Sequence, residues 1–122
     1  MLTSGVHHVS INVADVEEAI DFYTKVLGLG LREDRPEFSF GGAWIDVGTQ
    51  QLHLIEGDVP AALGQHFAFG VEDLDVAVAE LRGLGVQVSD PRPVGERRQS
   101  FFNDPAGNYL ELLEVGTHPG GA

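Results

Sequence analysis

An offset of 58 residues lays the second half of this chain on the first. It puts His66 on His8, Val71 on Val13, Asp73 on Asp15, Leu74 on Val16, Ala77 on Ala19 and Val78 on Ile20. The same offset puts Asp104 on Asp46, Leu110 on Leu52, Leu112 on Leu54 and Glu114 on Glu56. A repeat of this period constrains the fold more than any local propensity, because both copies must adopt one supersecondary unit.

Each copy can be read in order. Val6 to Val13 alternates, with Val9, Ile11 and Val13 on one side and His8, Ser10 and Asn12 on the other, which is the period of a strand. Asp15 then caps a helix, with Glu18 placed as in a capping box. Its buried stripe is Val16, Ala19, Ile20, Tyr23, Val26 and Leu27, and Gly28 closes it. Strands are expected at 29–33, 43–47 and 51–56, with a short one at 38–40 inside a Pro- and Gly-bearing loop. The second copy repeats the plan. A strand starts at His66 and a helix capped by Asp73 comes next. Strands are then expected at 86–89, 98–103 and 109–115, a loop at 90–96 and a tight turn at Asp104 to Asn108. Module one thus covers about 5–57, a linker 58–64, module two about 65–115, and a tail 116–122. The expectation is one α+β domain of two βαβββ modules, a curled mixed sheet with a concave inner face and helices outside.

Composition narrows the chemistry. A net charge of -12 argues against nucleic acid and against an anionic membrane surface, both of which need clustered Lys and Arg. No apolar run is long enough to span a bilayer and the first residues do not read as a signal peptide, so a cytoplasmic location is the default expectation. Without cysteine, any metal must be held by nitrogen and oxygen.

The repeat relates His8 to His66, and His53 to Glu111. Each of the four has apolar strand neighbours, namely Val9, Phe67, Leu52 with Leu54, and Leu110 with Leu112. The apolar side must meet the helices, so the four polar side chains share the opposite, concave face. A lone strand histidine is usually just hydrogen-bonded. Three imidazoles and a carboxylate at repeat-related positions instead suggest a divalent-ion site, for Zn, Ni, Mn, Co or Fe(II). Gln51 and Tyr109 share that face by parity, while Trp44 and Phe101 are candidate wall residues and Arg98 a candidate anion contact, all read as substrate-binding. Arg35 and Arg97 are further anion candidates. His7 has the wrong parity and reads as a surface residue, as does His118 in the tail.

The stretches HHVSINVADVEEAIDFYTKVLGLGL, QLHLIE, HFAFGVEDLDVAVAELRGLGVQV and FFNDPAGNYLELLE resemble the vicinal oxygen chelate superfamily of glyoxalase, fosfomycin-resistance, bleomycin-resistance and extradiol dioxygenase proteins. The resemblance implies paired βαβββ modules and metal ligands at His8, His66 and Glu111. A fourth family position, Glu or Gln in glyoxalases, falls on His53, which keeps a metal-binding group but removes a carboxylate. Glu111 and His53 are then the candidate catalytic groups. Fosfomycin-type thiol transferases carry an aromatic hydroxyl where Phe101 and Phe102 stand here. Bleomycin-binding relatives lack the metal set. The resemblance therefore implies a metal-dependent enzyme on a small oxygenated molecule, glyoxalase-like lyase or isomerase chemistry slightly ahead of ring-cleaving dioxygenase or thiol transfer. The alternative is a metal-free drug- or metabolite-binding resistance protein. A homodimer is expected, because two-module relatives commonly pair.

Overall fold

The computed structural model describes residues 1–116. His118, read as a surface residue of the tail, lies outside the described residues. The chain divides into two compact units, Met1–Ala61 and Ala62–Ala122.

The first unit runs β1 (His8–Val13), α1 (Val16–Asp21), β2 (Gly30–Leu31), β3 (Gly42–Val47) and β4 (Gln50–Glu56), with sheet order β1-β4-β3-β2. β1 is parallel to β4, so the chain must cross over between them, and α1 begins that crossover. Asp15 caps α1 by accepting a hydrogen bond from the Glu18 backbone N–H at 3.0 Å. The helix widens into a π-helical turn over Phe22–Val26, where the Leu27 N–H reaches back to the Phe22 carbonyl. Gly28, at φ +73°, ends it in the left-handed region that favours glycine. Ala19, Phe22 and Tyr23 of this segment are buried with Val13, Ala43, Ile45, Leu52 and Leu54 of the sheet. Each of the larger of these stabilises the unit by roughly 1.5–3 kcal/mol through apolar burial.

The second unit repeats this with β5 (Phe67–Val71), α2 (Leu74–Gly83), β6 (Arg92–Val94), β7 (Arg97–Asn103) and β8 (Tyr109–Glu114), ordered β5-β8-β7-β6. Asp73 caps α2 through the Val76 N–H at 3.2 Å. Leu74, Val78 and Leu81 of α2 are buried with Phe69, Phe102, Leu110 and Leu112. Glu114 is buried too, at 2 % exposure. It accepts the Leu74 N–H at 2.7 Å and both Nε and Nη2 of Arg98, at 3.1 and 3.0 Å, while Arg98 also pairs with Asp75. One carboxylate thereby ties β7 and β8 to the start of α2.

Three expected strands differ. Residues 38–40 form no strand, because the Phe38 and Phe40 rings stack on each other at 5.1 Å with the Arg35 guanidinium 4.9 Å over Phe38. Residues 86–89 form none either: the Val88 carbonyl accepts from Arg82 Nη2 at 2.7 Å, and the Phe101 N–H goes to the Ser89 hydroxyl rather than to a backbone oxygen. The outer strand is instead β6, inside the stretch expected as loop. Its Pro93 is tolerated because β6 is an edge strand, and Gly95, at φ +58°, makes the turn into β7. The strand expected over 29–33 shrinks to Gly30–Leu31.

Candidate metal and substrate site

In each sheet the candidate site side chains other than Arg98 lie on the face away from the helix. The registers that place them come from the hairpin turns. Gly48 and Thr49 join β3 to β4, which sets Trp44 opposite His53. The second hairpin is held by buried Asp104, whose Oδ1 accepts the Ala106 and Asn108 N–H groups at 3.0 and 2.9 Å. That turn sets Phe101 opposite Glu111.

In the first unit three rings line up. The His53 imidazole stacks on Trp44, with centroids 4.4 Å apart and 9° between planes, and on His8, at 4.0 Å and 15°. The His53 Nε2 is 2.8 Å from the Gln51 side-chain oxygen. Burial lowers the pKa of His53, and the nearby His8, His7, Arg32 and Arg35 push it the same way. The second unit has a different arrangement at the matching place. The His66 Nε2 is 2.9 Å from Glu111 Oε1, and its Nδ1 is 2.8 Å from the Gly64 carbonyl oxygen. Phe101 and Tyr109 stack at 5.0 Å and both meet the His66 ring edge-on, at 5.4 and 5.5 Å. The Gly64 bond, and after it the Glu111 bond, raise the pKa of His66.

The structure thus brings His8, His53, Trp44 and Gln51 together in one unit, and His66, Glu111, Phe101 and Tyr109 in the other. It does not place Arg98 with them. Arg98 has the parity of buried Ser100 and Phe102, so it lies on the helix side of β7, committed to Glu114 and Asp75. As a substrate contact it is corrected. Side-chain parity in a seven-residue strand decides this, and the paired arginines at 97 and 98 give no hint of which one turns inward. Arg97 donates to the Glu114 carbonyl at 3.0 Å, and Arg35 to the Phe40 carbonyl at 2.9 Å. Strand parity sets His7 apart from the site, yet its Nδ1 lies 2.9 Å from the Nδ1 of His8. The signal is the histidine doublet itself, since a residue just outside a strand is not bound by the strand's alternation.

Among the described residues, no three His, Asp or Glu side chains are grouped to hold a metal ion. The donor chemistry of His66 and Glu111 nevertheless fits one. A carbonyl oxygen only accepts, so the His66 Nδ1 carries a proton and directs it at Gly64. The remaining nitrogen, Nε2, is left facing a carboxylate oxygen. Glu111 also only accepts, so without a metal the two partners together favour the doubly protonated ring. A divalent ion would take the place of the Nε2 proton between imidazole and carboxylate, a nitrogen-and-oxygen set that borderline ions accept.

Two four-stranded mixed sheets, each with one helix on its apolar face, define an α+β protein of duplicated βαβββ plan. The chain belongs to the Glyoxalase/Bleomycin resistance protein/Dioxygenase superfamily, whose family model matches residues 5–112. A probable chloroplastic lactoylglutathione lyase of Arabidopsis thaliana is 33 % identical over 127 aligned positions covering 92 % of this chain. The chain spans only 36 % of the length of that relative. Among solved structures, a glyoxalase family protein from Bacillus anthracis superposes with a TM-score of 0.81 at 27 % identity, covering 93 % of this chain and 97 % of its own. TnmS3, an antibiotic binding protein from Streptomyces sp. CB03234, superposes with a TM-score of 0.77 at 28 % identity, covering 93 % and 98 %. In the described residues no helix is long and apolar enough to cross a membrane.

Proposed function

We propose that this chain is a divalent-metal-dependent enzyme acting on a small oxygenated molecule, with lyase or isomerase chemistry of the glyoxalase kind. The candidate metal ligands are His8 and His53 in the first unit and His66 and Glu111 in the second. The observation that carries the reading is the His66 pair, with Nδ1 held by the Gly64 carbonyl and Nε2 set against Glu111 Oε1. The Arabidopsis relative, named a lactoylglutathione lyase, supports the reaction class.

A bound divalent ion would supply a Lewis acid that takes two neighbouring substrate oxygens and stabilises the charge developing on them. The residues of the chain do the rest. Glu111 is buried to 9 % exposure, so its carboxylate is shielded from competing water and can hold or move a proton at the substrate carbon. His53, with its pKa lowered, stays neutral near neutral pH and is able to accept a proton there. Tyr109 and Phe101 beside His66, and Trp44 beside His53, offer ring faces and edges for substrate contact in their own units.

Elemental analysis of anaerobically purified protein should find about one ion per site. Calorimetric titration with Zn, Ni, Mn, Co and Fe(II) should show binding that Glu111→Ala and His66→Ala each weaken by at least about 100-fold. Absence of metal as isolated, together with no heat from any of the five ions, removes the proposal. Light scattering should report a dimer, and a monomer would remove the dimer from the reading.

One observation favours a second reading, a metal-free binder of an antibiotic or aromatic metabolite. The Trp44, His53 and His8 rings form a continuous stack, a surface suited to a planar ligand. The likeness to the antibiotic binding protein TnmS3 agrees with it. A chain carrying both His8→Ala and Glu111→Ala that still bound its ligand would favour this reading over the first.

A further inference from the structure

We propose that the first unit carries a subsite for a planar aromatic carboxylate, in which Trp44, Phe38 and Phe40 receive the ring and the Arg35 guanidinium receives the carboxylate. The proposal rests on the reading of the Trp44 stack as a surface for a planar ligand, and it adds the charge that such a ligand carries. It uses none of the candidate metal ligands. The row of rings does not end at Trp44. Phe38 lies 6.3 Å from Trp44 at a tilt of 48°, and Phe40 stacks on Phe38 at 5.1 Å with 10° between planes. Both phenylalanines are 44 % exposed, so two large apolar rings stand in water beside a half-buried tryptophan. Contiguous exposed apolar side chains, unlike scattered ones, mark binding surfaces.

The duplicated architecture does not require these rings. The registers that set Trp44 opposite His53 and Phe101 opposite Glu111 make Phe101 the mate of Trp44. Counting back from each, Phe38 falls on Gly95 and Phe40 on Arg97. The second unit makes its turn into β7 there without an aromatic side chain. Arg35 then gives the patch its sign. Its guanidinium carbon sits 4.9 Å from the centre of the Phe38 ring and 5.7 Å from that of Phe40. A guanidinium has five N–H donors, and the Phe40 carbonyl takes one, from Nη2 at 2.9 Å. Lys25, Arg32, Arg82 and Arg98 each pair with at least one carboxylate, whereas Arg35 forms no ion pair among the described residues. In a chain with 19 Asp and Glu against 7 Lys and Arg, that is a planar fork held over aromatic rings with no carboxylate of its own. The fork matches a carboxylate in two parallel hydrogen bonds. One arginine answers one charge, and the net charge of -12 opposes ligands of high negative charge, which favours a carboxylate over a phosphate ester.

Trp44 is the only tryptophan, so its single indole N–H resonance reports on this patch alone. The probes are 2-naphthoate and its neutral counterpart 2-naphthamide, titrated into the full chain as purified, with calorimetry giving the affinities. Both should move the Trp44 resonance, and naphthoate should bind about 10-fold tighter, the size of one charge-assisted hydrogen-bonded contact. Arg35→Ala should bring naphthoate down to the affinity of naphthamide and leave naphthamide in place, and Arg35→Lys should recover part of the difference. Phe38→Ala should weaken both probes. Equal affinities in the wild type, or equal losses of both probes in Arg35→Ala, overturn the proposal while the planar-ligand reading of the stack stands. A Trp44 resonance that neither probe moves removes that reading and the proposal with it. Light scattering on Phe38→Ala covers the remaining occupant: a dimer turned to monomer with naphthoate affinity unchanged would assign the patch to a second copy of the chain and overturn the proposal.

Discussion

His53 and Glu111 stand at matching places in the two repeats, yet one sits between two rings and the other faces a histidine. In the first unit His53 stacks between His8 and Trp44, and its burial there, with Arg32 and Arg35 nearby, disfavours its protonation. In the second, a carbonyl and a carboxylate favour protonation of His66. A second contrast lies behind the sheets. Glu114 is buried under Arg98 and the start of α2, while its mate Glu56 is exposed. The residue across from Glu56 is Gly41, whose carbonyl accepts the Glu56 N–H, in the place where the second unit has Arg98. One architecture therefore tolerates different electrostatics wherever a side chain across the hairpin changes.

The largest expected effect tests the second contrast. Glu114→Ala should lower the unfolding free energy by about 3 kcal/mol, since it strands the Leu74 N–H and breaks a buried charged network. Glu56→Ala should change it by less than about 0.5 kcal/mol, as exposed substitutions do. Urea denaturation midpoints measure both, and equal losses would mean that the buried network carries no special weight.

Of intermediate size is the opposed protonation of the two histidines in metal-free protein. Nitrogen-detected titration should place His66 above, and His53 below, an ordinary histidine. The consequences for stability have opposite signs. The raised pKa of His66 contributes stability that is present below its unfolded value and lost as pH rises through the folded one. The lowered pKa of His53 leaves its contribution intact above the unfolded value and removes it as pH falls. His66→Ala should therefore cost more on the acidic side and His53→Ala more on the alkaline side, in thermal melts across that range. The same order for both would show that the two halves do not differ electrostatically.

The smallest effect exchanges two small residues. Ser100 lies opposite Leu112 as Ala43 lies opposite Leu54, and both are buried. The Ser100 hydroxyl has no hydrogen-bond partner among the described residues. Ser100→Ala should stabilise by about 1 kcal/mol, and Ala43→Ser should destabilise by about the same. Destabilisation by Ser100→Ala would indicate a hydrogen bond to that hydroxyl.

Much of the fold is legible in the sequence because it rests on periodicity. The alternation in Val9, Ile11 and Val13, and the caps at Asp15 and Asp73, are local properties of the chain, and both caps form. The candidate site is legible in part, through parity: Gln51 with His53, and Tyr109 beside His66, come from which face each residue takes. Edges and choices between neighbours are not legible in this way. The outer strand forms at Arg92–Val94 rather than at 86–89 because Arg82 claims the Val88 carbonyl, a contact between residues that no pattern couples. Arg98 turns to the helix side because Glu114 is there to receive it.

By itself the sequence determined the duplication, the face on which each strand residue lies and the four repeat-related donors, because the offset and the two-residue period are properties of the chain alone. Only the tertiary structure decided which groups those donors meet. The Gly64 carbonyl and Glu111 carboxylate at His66, the His7 ring at His8 and the stack around His53 come from backbone and side-chain positions in three dimensions, and those partners give each donor its own surroundings.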